Sequence, residues 1–132
     1  MEGSQQKEKR DSTSPAAPAP TGFVRLAEGV FHARLAATTG LAAVLFTAPQ
    51  CGACRAWKRL LPDALTGLAD ALFEVDVSEA TGVARSFGIF HLPTVYLYRD
   101  GQFHAELQCE ARRDSIRMAA QGLLAKPAQD EP

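Results

Sequence analysis

The sequence predicts an α/β protein built on one mixed central β-sheet flanked by helices on both faces. Three observations carry this reading. Leu41-Ala42-Ala43-Val44-Leu45-Phe46 is continuously apolar, as a strand buried on both faces must be. Such runs alternate with segments of helical apolar spacing, the pattern of parallel strands joined by crossover helices. Finally, Arg99-Asp100-Gly101-Gln102 separates two β-rich runs, a hairpin signal that adds an antiparallel pair.

Taken in order, residues 1–21 are polar, carry mixed charges and end in a Pro/Ala stretch, which predicts a disordered tail. Residues 22–126 are expected to form one domain, and 127–132 a second tail. Phe23 to Leu26 reads as a short edge strand. Glu28 to Thr39 reads as a helix with Val30, Phe31 and Leu35 on one face, stopped by Gly40. The apolar strand then ends in Thr47-Ala48-Pro49, and a helix follows from Cys51 with Trp57, Leu60 and Leu61 facing inward. Pro62 is expected to kink or end that helix, with Asp63 to Ala71 continuing helically. Leu72 to Val77 is the next strand. Ser78 is the expected N-cap of a helix running to Phe87 and closed by Gly88. Thr94 to Tyr98 and Phe103 to Gln108 flank the hairpin turn. Ile116, Ala119, Ala120 and Leu123 place one apolar face on a last helix, Ala111 to Leu124.

The chain has 132 residues and a net charge of −1, a length suited to one self-sufficient core. Near-neutrality implies neither a nucleic-acid nor an anionic-membrane partner, and no apolar run approaches a membrane span. Met1 to Gly22 carries no apolar signal core, so a cytoplasmic, reducing setting and a monomer are expected. In that setting a C-x-x-C pair is redox-active or metal-binding rather than a permanent brace.

The chemistry gathers at Cys51-Gly52-Ala53-Cys54. At a strand-to-helix junction, Cys51 sits where free N–H groups and the helix dipole favour an anion, and a thiolate is one. That field lowers a thiol pKa and activates the sulfur. Cys54, about one turn further on, is placed to close a small disulfide ring. The stretch reads as a redox site.

Phe46-Thr47-Ala48-Pro49-Gln50-Cys51-Gly52-Ala53-Cys54, the strand ending at Asp76, and Phe87-Gly88-Ile89-Phe90-His91-Leu92-Pro93-Thr94 together resemble the thioredoxin family over nearly all of residues 23–125. The resemblance implies a thioredoxin-like fold and a cis Pro93 facing the cysteine pair. It implies Cys51 as the attacking thiol and Cys54 as the more buried resolving thiol. Substrate contacts are implied at Gln50, Gly52, Ala53, Leu92 and Pro93. Protein disulfides are the implied substrates, an upstream protein reductase the implied electron source, and no cofactor is needed.

Four departures from the family pattern stand in this sequence. Gln50 replaces the usual tryptophan. Leu45 falls where the family keeps a buried acid, and Leu72 where it keeps the accompanying lysine. Gly52-Ala53 replaces Gly-Pro. The expectation is a specialised member whose site lacks the usual internal base, so that Cys54 ionises slowly.

Other residues divide between a site role and a plain structural one. His91 is either a surface histidine or an accessory to proton transfer. Cys109 is either a small buried apolar residue or an accessory thiol. Cys51, Cys54, Cys109 and His91 suit a metal by type, although their spacing is not that of a zinc ribbon, and no metal site is expected. Trp57 reads as core; Arg55, Lys58 and Arg59 read as a solvated face; Tyr96 and Tyr98 read as sheet residues. The leading function is thiol–disulfide exchange through Cys51 and Cys54. The rival is a non-catalytic module that binds peptides beside Pro93.

Overall fold

The computed structural model describes residues 22–132; the tail expected over 1–21 lies outside the described residues. The elements follow the expected order: β1 (Val24–Arg25), a 3-10 turn (Glu28–Val30), α1 (Phe31–Ala36), β2 (Leu41–Thr47), α2 (Gly52–Ala64), β3 (Ala71–Asp76), α3 (Thr81–Ser86), β4 (Thr94–Arg99), β5 (Gln102–Glu106) and α4 (Arg113–Leu124). They form one mixed five-stranded sheet in the order β1-β3-β2-β4-β5. β2 runs parallel to β3, which runs parallel to β1; β4 is antiparallel to both β2 and β5.

The central place of β2 explains its composition. A strand with neighbours on both sides and helices on both faces has no solvated side, and every β2 residue is buried. Alternate residues serve opposite layers. Val44 and Phe46 pack with Phe31, Leu35, Val83 and Phe87 of α1 and the α3 region. Ala43 and Leu45 pack with Trp57, Leu61, Ile116 and Ala120 of α2 and α4.

Three local expectations are corrected. Pro62 lies inside α2, which continues only to Ala64, and the chain then turns through Gly67 at φ 80° so that Ala71 already belongs to β3. Asp63 to Ala71 is therefore a helix end and a turn. Ser78 does not cap α3; its hydroxyl and backbone N–H both donate to the Asp76 carboxylate, at 2.6 and 2.8 Å, and α3 starts from Ala80. The helix expected over Glu28 to Thr39 is a 3-10 turn followed by the shorter α1. Residues 127–132 carry no helix or strand, but they return to the sheet. The Gln129 N–H donates to the His104 carbonyl at 2.7 Å, and the Glu106 N–H donates to the Gln129 side chain at 3.1 Å. The Asp100-Gly101 turn has positive φ at both residues, 52° and 84°, as a tight hairpin of this type demands.

Candidate functional site

The site forms where β2 leaves the sheet. Thr47 is its last residue, Ala48-Pro49-Gln50 turn the chain, and Cys51 becomes the N-cap of α2. Cys51 keeps extended backbone angles, φ −103° and ψ 105°, while its sulfur accepts the Cys54 N–H at 3.1 Å. A cysteine sulfur thus does what a Ser or Asp oxygen does at other helix starts. The Cys51 N–H in turn donates to the Ala48 carbonyl at 3.3 Å. Cys51 and Cys54 are joined as a disulfide with Cα atoms 5.2 Å apart. Exposure separates the two: Cys51 is half-buried, whereas Cys54 is only 3 % exposed.

The other expected residues neighbour Cys51 in the chain or stand at the same end of the sheet. Gln50, Gly52 and Ala53 are exposed along its rim. Phe46 pairs with Thr94 across the sheet, so the Leu92-Pro93 segment stands at the same sheet end from which the chain turns into Cys51. The Leu92–Pro93 peptide is cis, and both residues are half-buried. The Thr94 hydroxyl donates to the His91 carbonyl at 2.6 Å and pins this loop from within. The His91 side chain is exposed. His91, Pro93, Trp57 and Cys109 line one cavity of about 550 Å³ on this flank. Cys109 is half-buried, and burial, with the neighbouring Glu110 charge, pushes its thiol above the usual cysteine range. Among the described residues, no three His, Cys, Asp or Glu side chains converge as a metal site, so the set Cys51, Cys54, Cys109 and His91 is not gathered.

With Leu45 and Leu72 standing where the family keeps its acid and lysine, a different carboxylate lies near the cysteine pair. Glu74, in the middle of β3 and level with Leu45, is 7 % exposed. Its carboxylate accepts the Thr47 hydroxyl at 2.8 Å and meets the Lys58 ammonium at 2.7 Å, with the Arg25 guanidinium at 3.8 Å. Arg25 also reaches Asp76 at 3.6 Å and Glu79 at 3.1 Å. Burial pushes the Glu74 carboxyl up. The hydrogen bonds from Lys58 and Thr47 and the charges of Lys58 and Arg25 outweigh it, holding the group below its usual range. Asp76 is held low mainly by the Ser78 hydroxyl, against its burial, with further help from the Ser78 N–H and Arg25. A cavity of about 250 Å³ is lined by Cys51, Cys54, Thr47, Lys58, Glu74 and Asp76 together.

Lys58 is therefore not simply part of a solvated face. It lies one helical turn after Cys54, on the side of α2 turned towards the strand that carries Glu74. A signal for this pair does exist in the sequence. Leu72, Glu74 and Asp76 alternate onto one face of a strand that reads as buried, and an acid there needs a cation.

The architecture and site define a class: a thioredoxin-fold protein whose Cys-x-x-Cys pair caps the helix after the central strand. The chain belongs to the Thioredoxin family, which it matches over residues 22–121. It is 38 % identical over 81 residues to Protein disulfide isomerase-like 1-3 of Arabidopsis thaliana, a match covering 57 % of this chain and 13 % of that protein. It is 34 % identical over 85 residues to Protein disulfide-isomerase A3 of Gallus gallus, covering 60 % of this chain and 16 % of that one. The chain thus spans a small part of these relatives' length. Among solved structures, the zinc-bound form of human ERp44 shares the fold with a TM-score of 0.63 at 16 % identity, over 76 % of this chain and 31 % of that one.

Proposed function

We propose that this chain is a thiol–disulfide oxidoreductase that exchanges two electrons with protein disulfides through Cys51 and Cys54. The observation that carries the reading is the pairing of a half-exposed sulfur at the N-terminus of α2 with a buried partner one turn below it. Membership of the thioredoxin family supports it. In the reduced state the Cys51 thiolate attacks one sulfur of a substrate disulfide. A mixed disulfide forms, and the other substrate sulfur leaves as a thiolate. Cys54 then loses its proton and attacks the Cys51 sulfur, expelling the second substrate thiolate. The chain is left as the Cys51–Cys54 disulfide, and a protein dithiol acting upstream returns it to the reduced form.

Gln50, Gly52, Ala53, Leu92 and Pro93 form the substrate-facing rim in this reading. Glu74 and Lys58, which share a cavity with Cys54, are the groups positioned to handle its proton. The unpaired Cys109 fits a reducing, cytoplasmic setting, and the exchange chemistry needs one chain and no cofactor.

The test is a redox titration in glutathione buffers, with alkylation and mass spectrometry reporting each cysteine. A reversible Cys51–Cys54 couple near or below about −230 mV is expected for a reductase. Cys51→Ser is expected to abolish exchange with a disulfide-bridged peptide, and Cys54→Ser to accumulate the mixed disulfide on Cys51. A pair that stays reduced throughout, or a Cys51→Ser variant that still exchanges, overturns the reading in favour of a peptide-binding module.

A further inference from the structure

Tyr98 is 4 % exposed, and its hydroxyl is buried with no hydrogen-bond partner among the described residues. A phenylalanine would pack in the same place without the cost of desolvating a hydroxyl, so packing does not account for this group. The ring itself is firmly set. It meets Phe31 and Phe103 edge to face, at centroid distances of 6.4 and 5.7 Å. The β4–β5 register shifts between Leu97 and Tyr98, an irregularity of the kind that redirects a side chain. Burial, with the nearby Glu131 and Tyr96 charges, pushes the phenol above its usual range. The group therefore stays a neutral hydroxyl, able both to donate and to accept.

Tyr98 and Glu131 line one cavity of about 410 Å³, a volume within the range of small-molecule sites. It is remote from the cysteines. Phe46, which leads towards Cys51, pairs with Thr94, whereas Leu41 at the start of β2 pairs with Arg99, so Tyr98 stands at the opposite end of the sheet. Leu35 and Phe103, both buried, give the cavity apolar walls, and the exposed His32, Gln102 and Glu131 stand at its rim. Among the described residues, no lysine or arginine lines it. Glu131 follows Gln129, whose N–H is tied to the His104 carbonyl at 2.7 Å, so the segment carrying the carboxylate is fastened beside β5. We propose that this cavity binds a small primary amine as its ammonium, with a short hydrocarbon or aromatic body. The ammonium bridges the two polar groups, donating to the Tyr98 oxygen and to the Glu131 carboxylate. Its body lies against Leu35 and Phe103, and the aromatic faces add attraction for the cation. An anion would accept from the hydroxyl but meet the Glu131 charge. The oxygen lies beneath the rim, and the exposed rim side chains turn aside to admit the ammonium. The inference is independent of the exchange reading, because it uses none of the same residues.

The experiment titrates the full chain with benzylammonium, benzyl alcohol and benzoate, with the Phe103 and Tyr98 ring resonances reporting the site by NMR. Benzylammonium is expected to shift them saturably, benzyl alcohol to bind about tenfold more weakly, and benzoate not to saturate. Tyr98→Phe, followed through Phe103, is expected to weaken benzylammonium about tenfold, and Glu131→Gln by at least as much. Met118→Ser, on α4, is expected to leave the affinity unchanged. Without ligand, Tyr98→Phe is expected to keep or raise the urea midpoint, because it removes a buried hydroxyl that has no partner. A lowered midpoint would show that the hydroxyl is already satisfied within the fold, and overturns the inference. So does the absence of a saturable shift with benzylammonium, an affinity for benzoate as high as for the amine, or an affinity unchanged in Tyr98→Phe.

Discussion

A glutamate in the middle of a buried strand must be satisfied where it stands, and Glu74 is satisfied by Thr47, Lys58 and Arg25 together. Removing its charge leaves Lys58 facing a neutral group, although half of the Lys58 side chain lies in water, which screens the pair. Glu74→Gln is expected to cost about 1–2 kcal/mol at pH 7, read from urea unfolding. The pH dependence has a definite sign. The folded carboxyl titrates below the unfolded one, so its ionisation stabilises the fold fully above the ordinary glutamate range and ceases to do so as pH falls through the lower folded value. The gap between native chain and variant should therefore be widest near neutrality and narrow as pH falls below the ordinary glutamate value of about 4.3. A gap that is unchanged at pH 3.5 would show that the charge contributes nothing. At this scale the cysteine pair was legible in the sequence because its two residues are near neighbours, whereas the cis Pro93, far along the chain, followed from the family resemblance. Glu74 was harder to read, because its partners lie on β1, β2 and α2.

At the scale of elements, the β4–β5 hairpin shows how a turn fastens a sheet to its surroundings. The Asp100 carboxylate accepts the Gly40 N–H at 2.8 Å, and the Asp100 N–H donates to the Gly40 carbonyl at 2.8 Å, tying the turn to the start of β2. Gly101 adopts φ 84°, and a Cβ there would lie 2.8 Å from the Ala36 carbonyl oxygen and 3.0 Å from the Ala36 Cα. Both are backbone atoms that cannot swing aside. Gly101→Ala is expected to destabilise by about 1–3 kcal/mol and lower the melting temperature by several degrees. Gly29→Ala, with no atom within 4 Å of its added carbon, should be nearly neutral, and equal losses at the two positions would refute the steric argument. The Asp-Gly hairpin was legible because its chemistry is contained in adjacent residues. The course of α2 was not. Pro62 removes one helical hydrogen bond, yet Leu61, Ala64 and Leu65, at most 1 % exposed, hold the following turn against the sheet.

At the scale of the whole molecule, the sheet separates two apolar layers, and α2 links one of them to the chemistry. Cys54, Trp57, Leu61 and Ala64 recur on the buried side of that helix, so the packing that seats α2 also seats the sulfur of Cys54. Leu61 is fully buried beneath Trp57 and Leu65 in the layer shared with α4. Leu61→Ala is expected to cost about 2–5 kcal/mol, with unfolding still a single transition by circular dichroism and by Trp57 fluorescence. Separate transitions for the two probes would mean that the α2–α4 layer unfolds independently of the rest.

The sequence by itself determined the order of strands and helices, the mixed sheet and the cysteine pair at a helix start. Each of these is written in residues close together: a period of two or of 3.6, an Asp-Gly turn, two cysteines one turn apart. Only the tertiary structure decided that Glu74 and Lys58 share a cavity with Cys54, that Ser78 serves Asp76 instead of capping α3, and that Gln129 returns to β5. The first and last of these depend on which residues lie level across neighbouring segments. The Ser78 bond depends on a competition between donating to the Asp76 carboxylate and accepting from the first N–H groups of α3, which local pattern does not rank. The same holds for Tyr98. Its residue type is plain in the sequence, but its unpartnered hydroxyl and the cavity it shares with Glu131 are properties of the fold.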